Sequence, residues 1–141
     1  MKLTSDLSDD RRVHVEGRLR ANLMAWLTTV RPNGQPVSVP VWFLLRDDDT
    51  ILMYSQNAKT KLKNILENPR VALGLDVTDI GRDIIRIEGT AKHSPELPPA
   101  DQVPEYVTKY AERIGAMFGS AAHFAELFSE PLVITPHRLY G

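Results

Sequence analysis

Apolar and polar side chains alternate most clearly between residues 35 and 46. One face of this segment would carry Val37, Val39, Val41 and Phe43, and the other Ser38, Pro40, Trp42 and Leu44. A period of two places successive side chains on opposite faces of a sheet. The segment is therefore predicted to be a strand that separates two environments. Pro40 cannot donate to a ladder, so it marks an edge strand or an interrupted pairing.

Five further segments have strand character: 21–31, 50–56, 70–77, 83–93 and 131–139. A turn at Pro32-Asn33-Gly34 connects the first of these to the 35–46 strand. Strands that follow one another through short turns favour an antiparallel sheet or small barrel, because parallel units need a helix after nearly every strand. We predict about six strands.

Helical periodicity is confined to a few segments. Apolar residues at 103, 106, 107, 110, 114, 117 and 118 predict one amphipathic helix, and residues 121–129 predict a shorter one. Ser8-Asp9-Asp10 is an N-cap cluster before a basic helix over residues 11–20, and Asn68-Pro69 ends another helix that begins near residue 59. The fold class is therefore mainly β (α+β), as one domain: residues 1–20 are a helical segment and 21–141 a barrel with helices.

Composition narrows the function classes. The 141 residues are 43% hydrophobic and 25% charged with a net charge of -1, so no overall positive field recruits nucleic acid or a membrane surface. There is no cysteine, which excludes disulfides and thiolate chemistry. The first twelve residues lack the apolar stretch of a signal peptide, and no apolar run reaches membrane-spanning length. We expect a cytoplasmic protein.

Three lysines crowd the start of the helix that begins near residue 59: Lys59, Lys61 and Lys63, with no acid before Glu67. A helix N-terminus carries partial positive charge, so cations there are unfavourable by about 0.3–1 kcal/mol each. A bound anion reverses the sign, because free amides and ammonium groups converge on it. Phosphate is the obvious candidate. The alternative is a solvated lysine face.

Motifs of side-chain catalysis are absent. The sequence contains no G-x-G-x-x-G, no phosphate-binding G-x-x-x-x-G-K-[ST], no H-E-x-x-H and no G-x-S-x-G. The histidines at 14, 93, 123 and 137 have no metal-ligand spacing, so we predict no metal site. An enzyme with this sequence would rely on a cofactor for its chemistry.

Several segments in order carry a resemblance to a known superfamily. They are residues 25–36 (AWLTTVRPNGQP), 39–43 (VPVWF), 54–56 (YSQ), 61–64 (KLKN) and 68–73 (NPRVAL). Together they resemble the pyridoxamine 5′-phosphate oxidase-like superfamily, and within it the deazaflavin-dependent oxidoreductases that use coenzyme F420. The resemblance implies a six-stranded antiparallel split β-barrel of the FMN-binding type that forms a homodimer, with cofactor in a groove at the subunit interface.

The resemblance also implies a set of site residues. Lys61 and Lys63 would bind the phosphate with Asn64 beside them, and Lys59 and Thr60 lie in the same loop. The strand from Val37 to Trp42 would line the deazaflavin ring, largely through its main chain, although Trp42 could instead be ordinary packing. Tyr54, Ser55 and Gln56 would approach the ribityl chain.

The expected activity is transfer of hydride from reduced F420 to an electron-poor double bond of a small organic acceptor. Tyr54 and His137 are weak candidates for the proton donor, and water is a third. The alternatives are an FMN-dependent oxidase or reductase on the same fold, and a non-catalytic protein that stores a cofactor. Small residues at Ala72, Gly74 and Gly89 predict close approach of sheets at a two-fold interface.

Overall fold

The computed structural model describes residues 1–77 and 80–141. Its centre is one antiparallel sheet of seven strands in the order β2-β1-β5-β6-β7-β4-β3. The strands are β1 (Ala25–Val30), β2 (Pro36–Val41), β3 (Leu44–Leu45), β4 (Ile51–Ser55), β5 (Arg70–Leu75), β6 (Arg86–His93) and β7 (Glu130–Tyr140).

Connectivity closes this sheet into a split barrel. β2 and β3 lie at opposite ends of the strand order, yet only Trp42 and Phe43 separate them in the chain. Three residue steps span at most about 11 Å even when fully extended. The two edges of the sheet therefore approach each other. The predicted split β-barrel with peripheral helices is confirmed.

The number of strands differs from the prediction because the predicted strand over residues 35–46 is two strands. The break falls at Phe43, whose amide donates to the Tyr110 hydroxyl at 2.8 Å. The Phe43 carbonyl accepts from the same hydroxyl at 3.0 Å and from Lys109 Nζ at 2.6 Å. Side chains 66 and 67 positions away thus satisfy the backbone groups that leave the ladder.

The helices are α1 (Asp9–Ala21), α2 (Thr60–Glu67), α3 (Pro104–Phe118) and α4 (Ala121–Leu127), with short 3₁₀ turns at Lys2–Thr4 and Ala100–Gln102. The Ser8 side chain accepts from the Arg11 amide at 3.3 Å, which confirms the predicted N-cap. None of the helices in the described part of the chain is long and apolar enough to span a membrane.

Two hydrophobic clusters lie on opposite sides of β4. The barrel interior holds Ile51 and Met53 together with Val15 and Leu19 of α1. The outer cluster packs α3 and α4 against Leu52 and Tyr54, the alternate residues of the same strand. The period of two therefore assigns each face of β4 to a different core. The outer cluster is the one that borders the candidate site.

For Gly89, the sequence predicts close approach of sheets at a two-fold interface, but the close approach that the structure shows is to β7 of the same chain. Gly89 is buried at an irregularity where β6 pairs with β7. A Cβ at this position would lie 2.3 Å from the Thr135 carbonyl oxygen. The close approach is therefore within the chain. Ala72 and Gly74 are half-buried on β5, and a Cβ at Gly74 would meet nothing within 4 Å.

Candidate functional site

A half-open cavity of about 230 Å³ lies between the end of β2, the start of α2 and the α3–α4 pair. Most of its wall is aromatic or thioether. The lining residues are Met24, Pro40, Val41, Trp42, Tyr54, Lys61, Tyr106, Met117, Phe118, Phe124 and Phe128. The cavity brings together five residues that the sequence analysis assigned to cofactor binding from three separate segments: Pro40, Val41, Trp42, Tyr54 and Lys61.

The β2 side of the cavity is a sheet edge. β2 ends the strand order and pairs with β1, so the proline at position 40 lies on an edge strand, as predicted. Val37 and Val39 are half-buried towards the barrel, whereas Ser38 and Pro40 are exposed. The Ser38 hydroxyl lies 2.6 Å from that of Thr28. The outer face of β2, formed by Pro36, Ser38 and Pro40, is therefore accessible up to the cavity.

Trp42 combines both interpretations left open by the sequence. Its ring stacks on Tyr110 with centroids 4.6 Å apart and on Phe124 at 5.4 Å. Phe118 meets it edge-on at 6.2 Å. The indole thus packs within the outer aromatic cluster and also lines the cavity. Its position is fixed by helices far along the chain.

The lysines differ in their surroundings. Lys59 is the N-cap of α2 and provides no side-chain cap. Lys61 is half-buried at the cavity, and burial, with a smaller contribution from Lys59, lowers the pKa of its ammonium group. Lys63 and Thr60 are exposed. The predicted placement of lysines at a helix start is confirmed, and one of the three reaches the cavity.

Asn64 has a structural role. Its side chain is 2% exposed, and its amide donates to the Thr29 hydroxyl at 3.0 Å. The bond joins α2 to β1 within the barrel wall. Because a buried amide that lost this bond would cost about 1–3 kcal/mol, the contact explains an asparagine here without a ligand.

The segment 54–56 continues from β4 towards α2. The Tyr54 hydroxyl donates to the Pro98 carbonyl at 2.7 Å, and burial raises the pKa of this phenol to about 12. The Ser55 side chain is fully buried and donates to the Gln56 carbonyl at 2.9 Å. Gln56 is half-buried. Tyr54 is therefore a weaker acid than a free tyrosine, with its proton engaged by backbone.

His137 lies elsewhere. It is exposed on β7, with Nε2 3.2 Å from the Thr90 hydroxyl, and it borders a groove over β1, β5, β6 and β7. The two candidate proton donors are therefore not brought together within one chain. Sequence reasoning missed Tyr106, which lines the cavity; its place in the apolar stripe of α3 concealed its hydroxyl.

A curved antiparallel sheet, with an edge strand, a basic helix start and an aromatic cluster around one cavity, defines a split-barrel protein with a candidate small-molecule site. The chain belongs to the pyridoxamine 5′-phosphate oxidase family, which it matches over residues 12–139. No protein of curated function matches it.

Solved structures share the fold at low identity. An F420 reductase is 23% identical, with a TM-score of 0.67, over 89% of this chain and 94% of that one. A putative pyridoxamine 5′-phosphate oxidase from Listeria innocua is 18% identical, with a TM-score of 0.62, over 93% and 94%. The heme storage protein HutZ from Vibrio cholerae is 13% identical, with a TM-score of 0.66, over 91% and 92%. Such identities establish a common architecture.

Proposed function

We propose that this protein is a homodimeric, coenzyme F420-dependent reductase that acts on an electron-poor double bond of a small organic molecule. The observation that carries the proposal is the meeting of the exposed β2 edge, Tyr54 and the half-buried Lys61 at one aromatic cavity. A deazaflavin presents a flat ring, a polyol chain and a phosphate in that order. The similarity to an F420 reductase supports this choice of cofactor.

The size of the cavity supports a site shared between two chains. At about 230 Å³ it lies below the usual range for ligand pockets, about 300–1,000 Å³. The outer face of β2, which leads into it, is open in the single chain. A second copy placed against the sheet would convert this edge into a groove. The proposal therefore includes the homodimer.

The residues present fit the parts of such a cofactor. The free amides at the start of α2, with Lys59, Lys61 and Lys63, would hold the phosphate. The main chain from Val37 to Trp42 would lie along the ring, and the 54–56 segment beside the polyol chain. When bound, the reduced deazaflavin supplies the hydride.

The chain itself provides orientation and exclusion of water. The stacked Trp42, Phe124 and Phe128 give the cavity a rigid apolar wall, which would hold a flat acceptor parallel to a flat cofactor. The Tyr54 proton is engaged by Pro98, and its pKa of about 12 makes proton release unfavourable. Water is therefore the proton source that the proposal favours.

Flavin mononucleotide is the alternative cofactor, favoured by the family to which the chain belongs. It would make the protein an oxidase or reductase of the pyridoxamine phosphate oxidase type, since the lysine cluster serves either phosphate. A storage role is the non-catalytic alternative, suggested by the similarity to a heme storage protein. The cavity lining, as far as the structure describes it, contains no histidine to ligate a heme iron.

Titration with each cofactor tests the proposal. We expect the fluorescence of F420 to be quenched or shifted when it binds. Its affinity should be at least tenfold higher than that of flavin mononucleotide. Tighter binding of the flavin by tenfold, about 1.4 kcal/mol, would replace the proposal by the flavin alternative. Protein produced in a host without F420 should be colourless, whereas a yellow preparation or a sharp Soret band would favour flavin or heme.

A further inference from the structure

One hydroxyl group on α3 anchors two separate segments of backbone. The Tyr110 hydroxyl lies 2.8 Å from the Leu23 carbonyl and 3.0 Å from the Phe43 carbonyl, and it accepts from the Phe43 amide at 2.8 Å. Each anchored residue is the chain neighbour of a residue that lines the cavity: Met24 follows Leu23, and Trp42 precedes Phe43. The anchoring therefore sets the position of two parts of the cavity wall.

The Tyr110 hydroxyl has a single proton for these two carbonyls, so it cannot donate fully to both. Lys109 supplies the second donor, because its Nζ lies 2.6 Å from the Phe43 carbonyl oxygen. With Phe43 bonded to the ammonium group, the hydroxyl proton is free to bond to Leu23, and both carbonyls then have a donor. Lys109 thus determines which carbonyl the hydroxyl serves.

The ammonium group of Lys109 lies over aromatic rings and forms no ion pair within the described part of the chain. Its Nζ is 3.9 Å from the centroid of the Phe43 ring and 5.4 Å from that of Tyr110. Burial lowers the pKa of Lys109 to about 8. Cation–π attraction and the charge-assisted hydrogen bond both depend on the ammonium form. Loss of the proton therefore weakens both contacts.

We propose that Lys109 is a positioning residue for the cavity: its ammonium group holds the Phe43 carbonyl and so fixes Trp42 and Met24 in the wall, and the site loses affinity when this group loses its proton. Lys109 does not itself line the cavity, so it acts through the backbone. The inference rests on the proposed function for the nature of the ligand, and it adds a control of the same site by pH.

The elements that pack against α3 carry several charged or titratable groups but no second amine. These elements are β3, α4 and the second 3₁₀ turn. A transition near pH 8 that arginine at position 109 abolishes would therefore be that of Lys109. The groups concerned are Glu105, Tyr110, Glu112 and Arg113 on α3, Arg46 after β3, His123 and Glu126 on α4, and Asp101 in the turn.

Trp42 reports the state of the wall without a ligand, because the sequence holds one other tryptophan, Trp26. In a Trp26→Phe background, we expect the emission of Trp42 to move to longer wavelength as the pH is raised, with a midpoint near pH 8. The reason is that a loosened indole becomes more exposed to water. Lys109→Met should show the shifted emission already at pH 7. Lys109→Arg keeps a cationic donor and should show the unshifted emission across the same range.

Titration with F420 and with flavin mononucleotide at pH 7 measures the effect on the site. We expect Lys109→Met to weaken cofactor binding by about three- to tenfold, the effect of one net hydrogen bond, and Lys109→Arg to stay within about twofold of wild type. The melting temperature of Lys109→Met without ligand should hold or rise, because a partly buried charge is removed. Lys2→Met makes the same change at an exposed lysine and should alter none of these quantities.

Emission that does not change with pH in the Trp26→Phe background would overturn the inference, as would unchanged cofactor affinity in Lys109→Met. The same transition in Lys109→Arg would also overturn it and would assign the titration to another group, such as Lys61, whose pKa burial lowers. A Lys109→Met protein that melts well below wild type would show a structural role instead. If neither cofactor binds, the proposed function fails, and the emission of Trp42 still decides the role of Lys109.

Discussion

At the scale of single residues, Lys61 and Lys63 lie in contrasting surroundings although they are two positions apart. Lys61 is half-buried at the cavity and Lys63 is exposed. Charge-assisted bonds to a phosphate are worth about 1.5–3 kcal/mol, and solvent screens the exposed one more strongly. We expect Lys61→Ala to weaken cofactor binding by at least tenfold and Lys63→Ala by less. The double variant should be weaker than either, as measured by fluorescence titration.

Stability without cofactor distinguishes this role from a solvated lysine face. Removing like charges from a positive helix end relieves repulsion, so the melting temperature of the double variant should hold or rise. Binding should also weaken as salt is raised. Unchanged affinity in the double variant, together with an unchanged melting temperature, would show that both lysines are solvated surface residues that do not bind the cofactor.

The sequence was informative where a residue breaks a local rule. Cations at a helix start and a proline in a strand both stand out without any knowledge of the fold, and both border the cavity. Tyr106 could not be recognised in this way. Its place in the apolar stripe of α3 predicts a core residue, and only the folded chain shows that it also lines the cavity.

At the scale of elements, one carboxylate fastens α1 to the loop before β6. Asp83 accepts from His14 Nε2 at 2.7 Å and from Arg18 Nη1 at 2.7 Å, and Arg11 Nη1 lies 3.0 Å away. These bonds, that of His14 foremost, lower the pKa of Asp83 to about 2. Its φ of 62° lies in the left-handed region, which asparagine also tolerates. Asparagine at this position would therefore remove the charge without straining the backbone.

We expect Asp83→Asn to reduce the free energy of unfolding at pH 7 by about 1–2 kcal/mol, allowing for partial exposure. Because the pKa of Asp83 is lower in the folded state, its carboxylate stabilises the fold above about pH 4. This stabilisation is lost as the pH falls towards 2. The difference between variant and wild type should therefore shrink between pH 4 and pH 2 in urea titrations. Asp9→Asn, at an exposed pair with Arg12, is the control and should cost less than about 0.5 kcal/mol.

The β6–β7 pairing gives a second prediction at this scale. Gly89→Ala would place a Cβ against the Thr135 carbonyl, so we expect a loss of about 2–3 kcal/mol in thermal or urea unfolding. Gly17→Ala makes the same chemical change in α1, where a Cβ meets nothing within 4 Å. That helix should gain up to about 1 kcal/mol. Equal effects at the two glycines would show that the strands separate easily.

Periodicity predicted where the strands and helices lie, but not the end of β2. Val41 and Phe43 continue the alternation through the break, so the pattern gives no reason to stop. The reason comes from α3, which supplies Tyr110 and Lys109 to the Phe43 backbone. A sequence pattern assessed over about a dozen residues cannot include hydrogen-bond partners that lie 66 and 67 positions away.

At the scale of the whole molecule, the proposed dimer would cover the outer face of β1, β5 and β6. Trp26 is 45% exposed there, opposite Gly74 in the β1–β5 register. We expect light scattering to show a dimer at micromolar concentration. Ala72→Glu should give monomers, because it would set an acid beside Glu88 within the interface. It should also weaken cofactor binding, since the proposed groove would be shared between the two subunits.

Val13→Glu, at a 72% exposed position on α1, is the matched control and should remain dimeric. A wild-type monomer in the presence of saturating cofactor would contradict both the dimer and the shared groove.

The strand order has a consequence for how the protein is made. β1 and β2 form a hairpin from neighbouring segments, but β4 pairs with β3 and with β7, which follows all the other described strands in chain order. Long-range pairings of this kind form slowly, because loop closure precedes any gain from contact. The hydrogen bonds from Tyr110 and Lys109 to the Phe43 backbone likewise form only after α3 has been made. The nascent chain therefore carries an unpaired edge of β4 until β7 has been made, and the aromatic wall of the cavity is incomplete until α4 has been made.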